Sequence, residues 1–517
     1  MGSSNKENQQ ELKLSNRRRY VNLILFLFGT MFFKFSYETL SGAIGLTILT
    51  RLEGHPLGAT TILSLLTITF GLSQSVSSSA VEGLLKVIRA TRLYCISLIF
   101  FSALIITMIV LEATTGGTLT SPGYWTPWII FPIYVFIGFN VGIIEVVRKI
   151  IPASILGNSE SSTLKRLNAG IHISYEIAGT IGAFLSSVFI EQLGTIYALF
   201  HMPVCFFIGS LFFFFITLKD TERILEEDTA DEDDIFKENV PTENRVLNIL
   251  KKIGKVIKDY FYSMYIGAKI VLTNRYYIWL IPCFVIPQVL HRLIENIFLP
   301  AFSKMILKKG SYSGIMLGGS NFGELVGAGL LLIFAKKVKL PTIWIILDSL
   351  FLNLMWIFPF LTFDETTNEN LIFAICIVPA MVLISGSWAA GDISQIAYLQ
   401  STLSDEPNEQ TGVNELAAVM SFLYSCYIVL TTLVAFGLSQ AVDRFKESGR
   451  PEFGFMTICI VMSVISFAIC IIYLTVAKFK PSVHDDHLGE ELEMQQTATT
   501  TNNVERESSI EEQTVNV

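Results

Sequence analysis

Twelve apolar stretches, each long enough to cross a bilayer as a helix, recur along this chain of 517 residues. They lie near 22–49, 57–80, 93–111, 126–147, 168–190, 194–217, 276–300, 311–335, 341–362, 371–398, 414–437 and 453–477. No other feature restricts the fold as strongly. In hydrocarbon every backbone N–H and C=O must be bonded within the protein, so only helices and closed barrels span. Stretches of about twenty residues suit helices, whereas barrel strands need about half that length. Only 16% of the residues are charged and 39 are Phe, against about 25% charged in soluble domains. The expected fold class is all-α: a polytopic membrane protein with about twelve transmembrane helices in two six-helix, pseudo-symmetric halves.

The stretches group six and six about a polar region. The expected domains are a cytoplasmic N-tail (1–20), a first six-helix bundle (21–217), a cytoplasmic central loop (218–275), a second bundle (276–477) and a disordered C-tail (478–517). Basic residues in short loops set orientation. Arg17 to Arg19, Lys86, Arg89, Arg92, Arg148, Lys149, Lys165, Arg166, Lys336, Lys337 and Lys339 alternate to one side. Both termini are therefore expected in the cytoplasm, with the chain in a plasma or vacuolar-type membrane. Two loops fit badly: 401–413 lacks a base, and Lys304, Lys308 and Lys309 fall outside.

The central loop opens with an acidic run from Asp220 to Asp234, read as a solvated linker. From Val246 to Phe261 an apolar stripe is flanked by Lys251, Lys252, Lys255 and Lys258. Such a basic amphipathic helix suits the inner membrane surface, its lysines toward anionic headgroups. The seven cysteines all fall in apolar segments without metal-ligand spacing and read as small buried hydrophobes. There is no nucleotide-binding loop, His-Glu-x-x-His helix or nucleophile elbow. No enzyme activity, metal or other cofactor is expected, and no basic tract suggests nucleic acid. The expected partners are a small-molecule substrate, protons and the lipid bilayer, with the chain a monomer.

The two halves share weak internal similarity. A shift of 252 places Phe70-Gly71 on Phe322-Gly323, and Tyr175, Thr180, Ala183 and Phe184 on Tyr427, Thr432, Ala435 and Phe436. A shift of 257 brings Lys34 and Glu38 onto His291 and Glu295.

A charge at mid-membrane costs about 2.5–3.5 kcal/mol on insertion scales and is tolerated facing protein or a wet cavity. The seventh stretch, PCFVIPQVLHRLIENIFLP from Pro282 to Pro300, carries His291, Arg292, Glu295 and Asn296. On a helix His291 and Glu295 share a face, as do Arg292 and Glu295. The first stretch holds Lys34 and Glu38 four apart, and the fourth holds Glu145 and Arg148 three apart. In the fifth, His172 and Glu176 are four apart among small residues, Ala178, Gly179, Gly182 and Ala183, that admit a neighbouring helix. The eighth carries Glu324 in a glycine-dense run, and the tenth carries Trp388, Asp392 and Gln395 on one face. Asp348 and Glu415 read as structural. Expected around a substrate cavity are Lys34, Glu38, Glu145, His291, Arg292, Glu295, Asn296, Trp388, Asp392 and Gln395. Proton-coupling candidates are Glu38, His172, Glu176, Glu295, Glu324 and Asp392, although His172 with Glu176 equally suits an interhelical hydrogen-bonded pair.

Two six-span halves with ionisable groups in spans one, four, seven and ten resemble the major facilitator superfamily over roughly residues 20–478. That family carries Gly-x-Leu-x-Asp-Arg-x-Gly-Arg-Arg between its second and third spans. Here the stretch is Gly83-Leu84-Leu85-Lys86-Val87-Ile88-Arg89-Ala90-Thr91-Arg92, with Val87 in place of the acid and Ala90 in place of the second glycine. The resemblance implies that these four spans line a central cavity. It also implies a secondary active transporter working by alternating access; the buried acids are candidates to carry a coupling proton, and the coupling ion itself is left open. A transporter-like receptor or scaffold without flux is the alternative.

Overall fold

The computed structural model describes residues 2–85, 88–119, 121–156, 161–216, 258, 261–274, 277–334, 342–360, 370–403 and 415–476. The acidic run, nearly all of the expected basic helix, most of 401–413 and the C-tail lie outside the described residues. The chain forms two compact units, Met1–Cys470 and Ile471–Val517. The site described below lies wholly in the first.

Eleven helices among the described residues are long and apolar enough to cross a membrane. They are Arg17–Arg51, Ala59–Ser78, Ala90–Thr114, Pro127–Pro152, Gly170–Leu193, Tyr197–Phe214, Tyr312–Phe334, Ile343–Phe360, Leu371–Ile396, Ala418–Glu447 and Pro451–Thr475. The remaining expected span, 281–305, is seventh in chain order and is broken. It runs as a π-helical turn Ile281–Val285, a helix Ile286–Leu293, a second π-turn Ile294–Phe298 and a helix Leu299–Met305. The first helix begins at Gly2, so polar tail residues extend it. Residues 261–273, expected to be loop, are helical, and Gly267 packs on the backbone at Ala418.

The packing repeats between halves. Span one packs on five as seven packs on eleven, and two on four as eight on ten. The pairs that join the halves, two with eleven and five with eight, exchange when the halves are swapped. Backbone approach through glycine makes the tight pairs. A Cβ at Gly138 would stand 2.6 Å from the Phe70 carbonyl, and one at Gly323 2.6 Å from that of Val382. Around these helices sit aromatic cores: Phe33, Tyr94 and Phe206 in the first set, and Phe298, Phe302, Phe358 and Phe455 in the second.

Four cysteines are buried as expected, but Cys376 is exposed and Cys426 and Cys470 are half-buried. The reason is that in an apolar helix the outward face is apolar too, so hydropathy does not distinguish it from the core.

Let the near face be the one where span one begins and the far face the one it reaches at Arg51. At the far face several polar contacts tie the two sets of spans together. Asp443 accepts the backbone N–H of Thr60 at 3.2 Å and of Thr61 at 2.8 Å, and the Thr61 hydroxyl at 2.8 Å. It thus caps the start of span two from span eleven. Lys304 donates to the Leu49 carbonyl at 2.5 Å and to Glu53 at 3.2 Å, and Lys446 donates to Glu53 at 2.8 Å. Lys309 reaches Glu191 at 2.5 Å. Two of the three lysines that fit the basic-loop pattern badly, Lys304 and Lys309, are held here by acids of the other half. The hydrogen bond from Lys446, then the charge of Lys304, hold the Glu53 carboxyl below the usual carboxylate range. The bond with Glu191 raises Lys309.

Candidate functional site

Helix geometry makes the short-range pairs. Lys34 bonds Glu38 one turn on. Arg148 donates to Glu145 at 2.7 Å, and Arg292 to Glu295 at 2.9 Å. His291 Nε2 lies 3.2 Å from Glu295 Oε1. His172 Nδ1 stands 4.0 Å from Glu176, outside hydrogen-bond range.

Tertiary packing adds what spacing could not. Span five brings Glu176 to 3.7 Å from Lys34, so one ammonium faces two carboxylates. Glu176 is 2% exposed and its Oε2 receives no hydrogen bond among the described residues. Tyr175 donates to Glu145 at 3.1 Å, and its ring lies under both Arg148 at 4.0 Å and Lys34 at 5.1 Å. These contacts join spans one, four and five in one cluster.

The second cluster centres on the break in span seven. Its second π-turn holds Glu295 and Asn296, a register change of the kind that recurs at functional sites. His291 Nε2 lies 3.4 Å from Glu324 of span eight, so the ring stands between two buried carboxylates. Ser320 donates to Glu295 at 2.7 Å and pairs with Ser385 of span ten at 2.7 Å. The imidazole stacks on Trp388 at 4.0 Å with planes 9° apart. His291, Glu295 and Glu324 present three possible ligand atoms within 4.8 Å of one another. Those same atoms are engaged in the ion pairs just given, which is their structural role here.

The clusters meet where span five packs on span eight through Ala183, Ser186 and Gly314. Glu324 lies within Coulomb reach of Lys34, His172 and Glu176. Ser41 of span one bonds Asn296 of span seven at 3.0 Å. The arginine side chain of Arg292 remains 41% exposed, the most open of these charges.

Asp392 and Gln395 line a neighbouring cavity within the second set of spans, with Asp348 and with Trp388, which also stacks on His291 of the cluster. Asp348 was expected to be structural, and reasoning from sequence also passed over Tyr175, Arg148 and Ser320 as site residues. The match of Tyr175 to Tyr427 in the repeat was the one available signal.

No protein-family model matches the sequence, and no curated protein matches it significantly. Solved structures do match. The D-xylose-proton symporter aligns with a TM-score of 0.60 at 10% identity, over 90% of this chain and 98% of that one. A POT family transporter in complex with 5-aminolevulinic acid gives 0.57 at 12%, over 88% and 96%. The nucleoside transporter NupG gives 0.52 at 13%, over 90% and 100%. Identities this low speak to fold alone, and the neighbours span the whole described architecture. The chain therefore shares the fold of these solved transporters, in agreement with the fold that its resemblance implied.

Proposed function

We propose that this protein is a proton-coupled secondary active transporter of a small polar solute, working by alternating access, and that it is not an enzyme. The observation that supports this most directly is the approach of two buried clusters, each of bases paired with carboxylates, across the packing of spans five and eight. Such groups are costly in a bilayer and are kept where they serve a pathway. In this reading Lys34, Glu38, Glu145, His291, Arg292, Glu295 and Asn296 surround the solute path, and Glu38, His172, Glu176, Glu295 and Glu324 are the proton-carrying candidates. The exposed side chain of Arg292 offers a donor and Glu176 Oε2, which has Lys34 at 3.7 Å but no hydrogen bond, an acceptor, which suits a solute carrying both polarities.

The swap of helix pairs between halves supports a division into bundles at 21–217 and 276–477. The two bundles rock about the clusters, and the contacts at Asp443, Glu53 and Glu191 hold the far face shut in this state. The basic-residue pattern puts the near face and both termini in the cytoplasm, of a plasma or vacuolar-type membrane. The protein works as a monomer whose other partner is the lipid. Uptake of candidate solutes into proteoliposomes, with and without a pH gradient, tests the reading. Flux should appear with the gradient and vanish in Glu295→Gln while reconstitution stays normal. Absence of flux for every polar solute class tried, with or without the gradient, would instead favour a receptor.

A further inference from the structure

Span seven breaks at Pro287, and the break exposes a second site. Proline has no N–H, so the Cys283 carbonyl one turn earlier loses its helical donor. Gln395 Nε2 of span ten supplies one at 3.0 Å. A carbonyl only accepts, so this contact orients the amide and turns Oε1 the other way. Gln395 is 4% exposed, yet Oε1 has no hydrogen-bond partner among the described residues.

Gln395 lines a small cavity of about 10 Å³, room for one water-sized particle, together with Asp348, Asp392 and Trp388. Asp348 comes from span nine, one turn after Trp344, and is 7% exposed. Neither aspartate makes a hydrogen bond or ion pair with another described residue. Three oxygen-bearing acceptor groups thus converge, from spans nine and ten, on one space. Trp388 walls that space off from the central cluster, because its ring is covered by the stacked imidazole of His291.

The Trp388 indole N–H and the weakly donating Cys283 thiol also line this space, but its acceptors outnumber them, and that excess calls for a cation. Oxygen ligands select hard cations over soft ones. Mg²⁺ sheds water reluctantly, and Ca²⁺ takes about six to eight oxygens, more than three side chains at this depth supply. We infer that Asp348, Asp392 and Gln395 form a binding site for a monovalent hard cation of the sodium class. Because the site ties spans seven, nine and ten together, occupancy sets how the near-face ends of these helices sit. A sodium gradient could then drive or bias transport alongside protons. That consequence rests on the transport reading, but binding does not, and it is measured without flux.

The test is a sodium titration of the purified full-length protein at constant ionic strength, with choline as the balancing ion, read by thermal unfolding and by tryptophan fluorescence. A saturable rise in Tm is expected with NaCl and not with choline chloride. In Asp392→Asn and Asp348→Asn the apparent sodium affinity should fall by about tenfold or more, since each removes a ligand charge. If one variant fails to fold, the wild-type titration and the other variant still decide. A wild-type protein indifferent to sodium overturns the inference. So does a response to Ca²⁺, Mg²⁺ or Zn²⁺ without one to sodium, or a signal that follows pH alone.

Discussion

The two charge clusters share a plan, a cation facing acids four residues on and on a neighbouring span, and differ in how fully those acids are compensated. Around Lys34 a single ammonium serves Glu38 and Glu176, and Glu176 Oε2 has that ammonium at 3.7 Å but no hydrogen bond among the described residues. Around His291 the imidazole, the Arg292 guanidinium and the Ser320 hydroxyl serve Glu295 and Glu324. In the second cluster the carboxylates are more fully served, and the unpartnered atom is instead His291 Nδ1. The first has spare acceptor capacity, which makes it the better place for a solute donor or a proton to arrive.

The comparison is broken most easily by removing the cations. Lys34→Met strips two buried carboxylates at once, and breaking a buried pair costs about 3–5 kcal/mol. Thermal unfolding in detergent should show that loss, and flux should disappear. His291→Asn should cost less, about 1–3 kcal/mol, because the amide still donates to one carboxylate and Arg292 still holds Glu295. If His291→Asn proves the more damaging, the assignment of spare capacity to the first cluster is wrong.

A smaller effect is expected at the far face. Asp443→Ala removes the cap from span two, worth about 1 kcal/mol, and should shift the population toward a far-open state. Faster thiol labelling of a cysteine placed by Ser41→Cys would register the shift, and unchanged labelling would mean Asp443 does not hold the closure. The smallest effect is a null one. Glu53 contributes above its unfolded pKa of about 4.3 and loses that contribution as pH falls through its lower folded value. Lys309 contributes below about 10.4 and loses its share as pH rises through its higher folded value. Between about pH 5 and 10 the Glu53 and Lys309 contacts should therefore hold constant. Labelling that changes steeply within that window would place the pH sensor at the far face rather than in the clusters.

Much of the site was legible because it is local. Lys34 with Glu38, Glu145 with Arg148, and Glu295 with His291 and Arg292 lie three or four residues apart, a spacing that any helix turns into a contact. Glu176 against Lys34, Glu324 against His291 and Asp348 beside Asp392 were not legible. Each joins two helices whose relative rotation no short window of sequence encodes. The same gap explains Lys304 and Lys309, which the basic-residue pattern treats as misplaced until Glu53 and Glu191 are seen beside them.

What the sequence determined by itself is the set of twelve crossings and the one-turn ion pairs. Both follow from length, hydropathy and helical period, which act within a few turns of chain. Tertiary structure alone decided which carboxylates share a cation, which lie uncompensated and which face of the molecule is shut. Those depend on how glycine-lined helices approach and rotate against each other, a result of packing summed over the whole bundle.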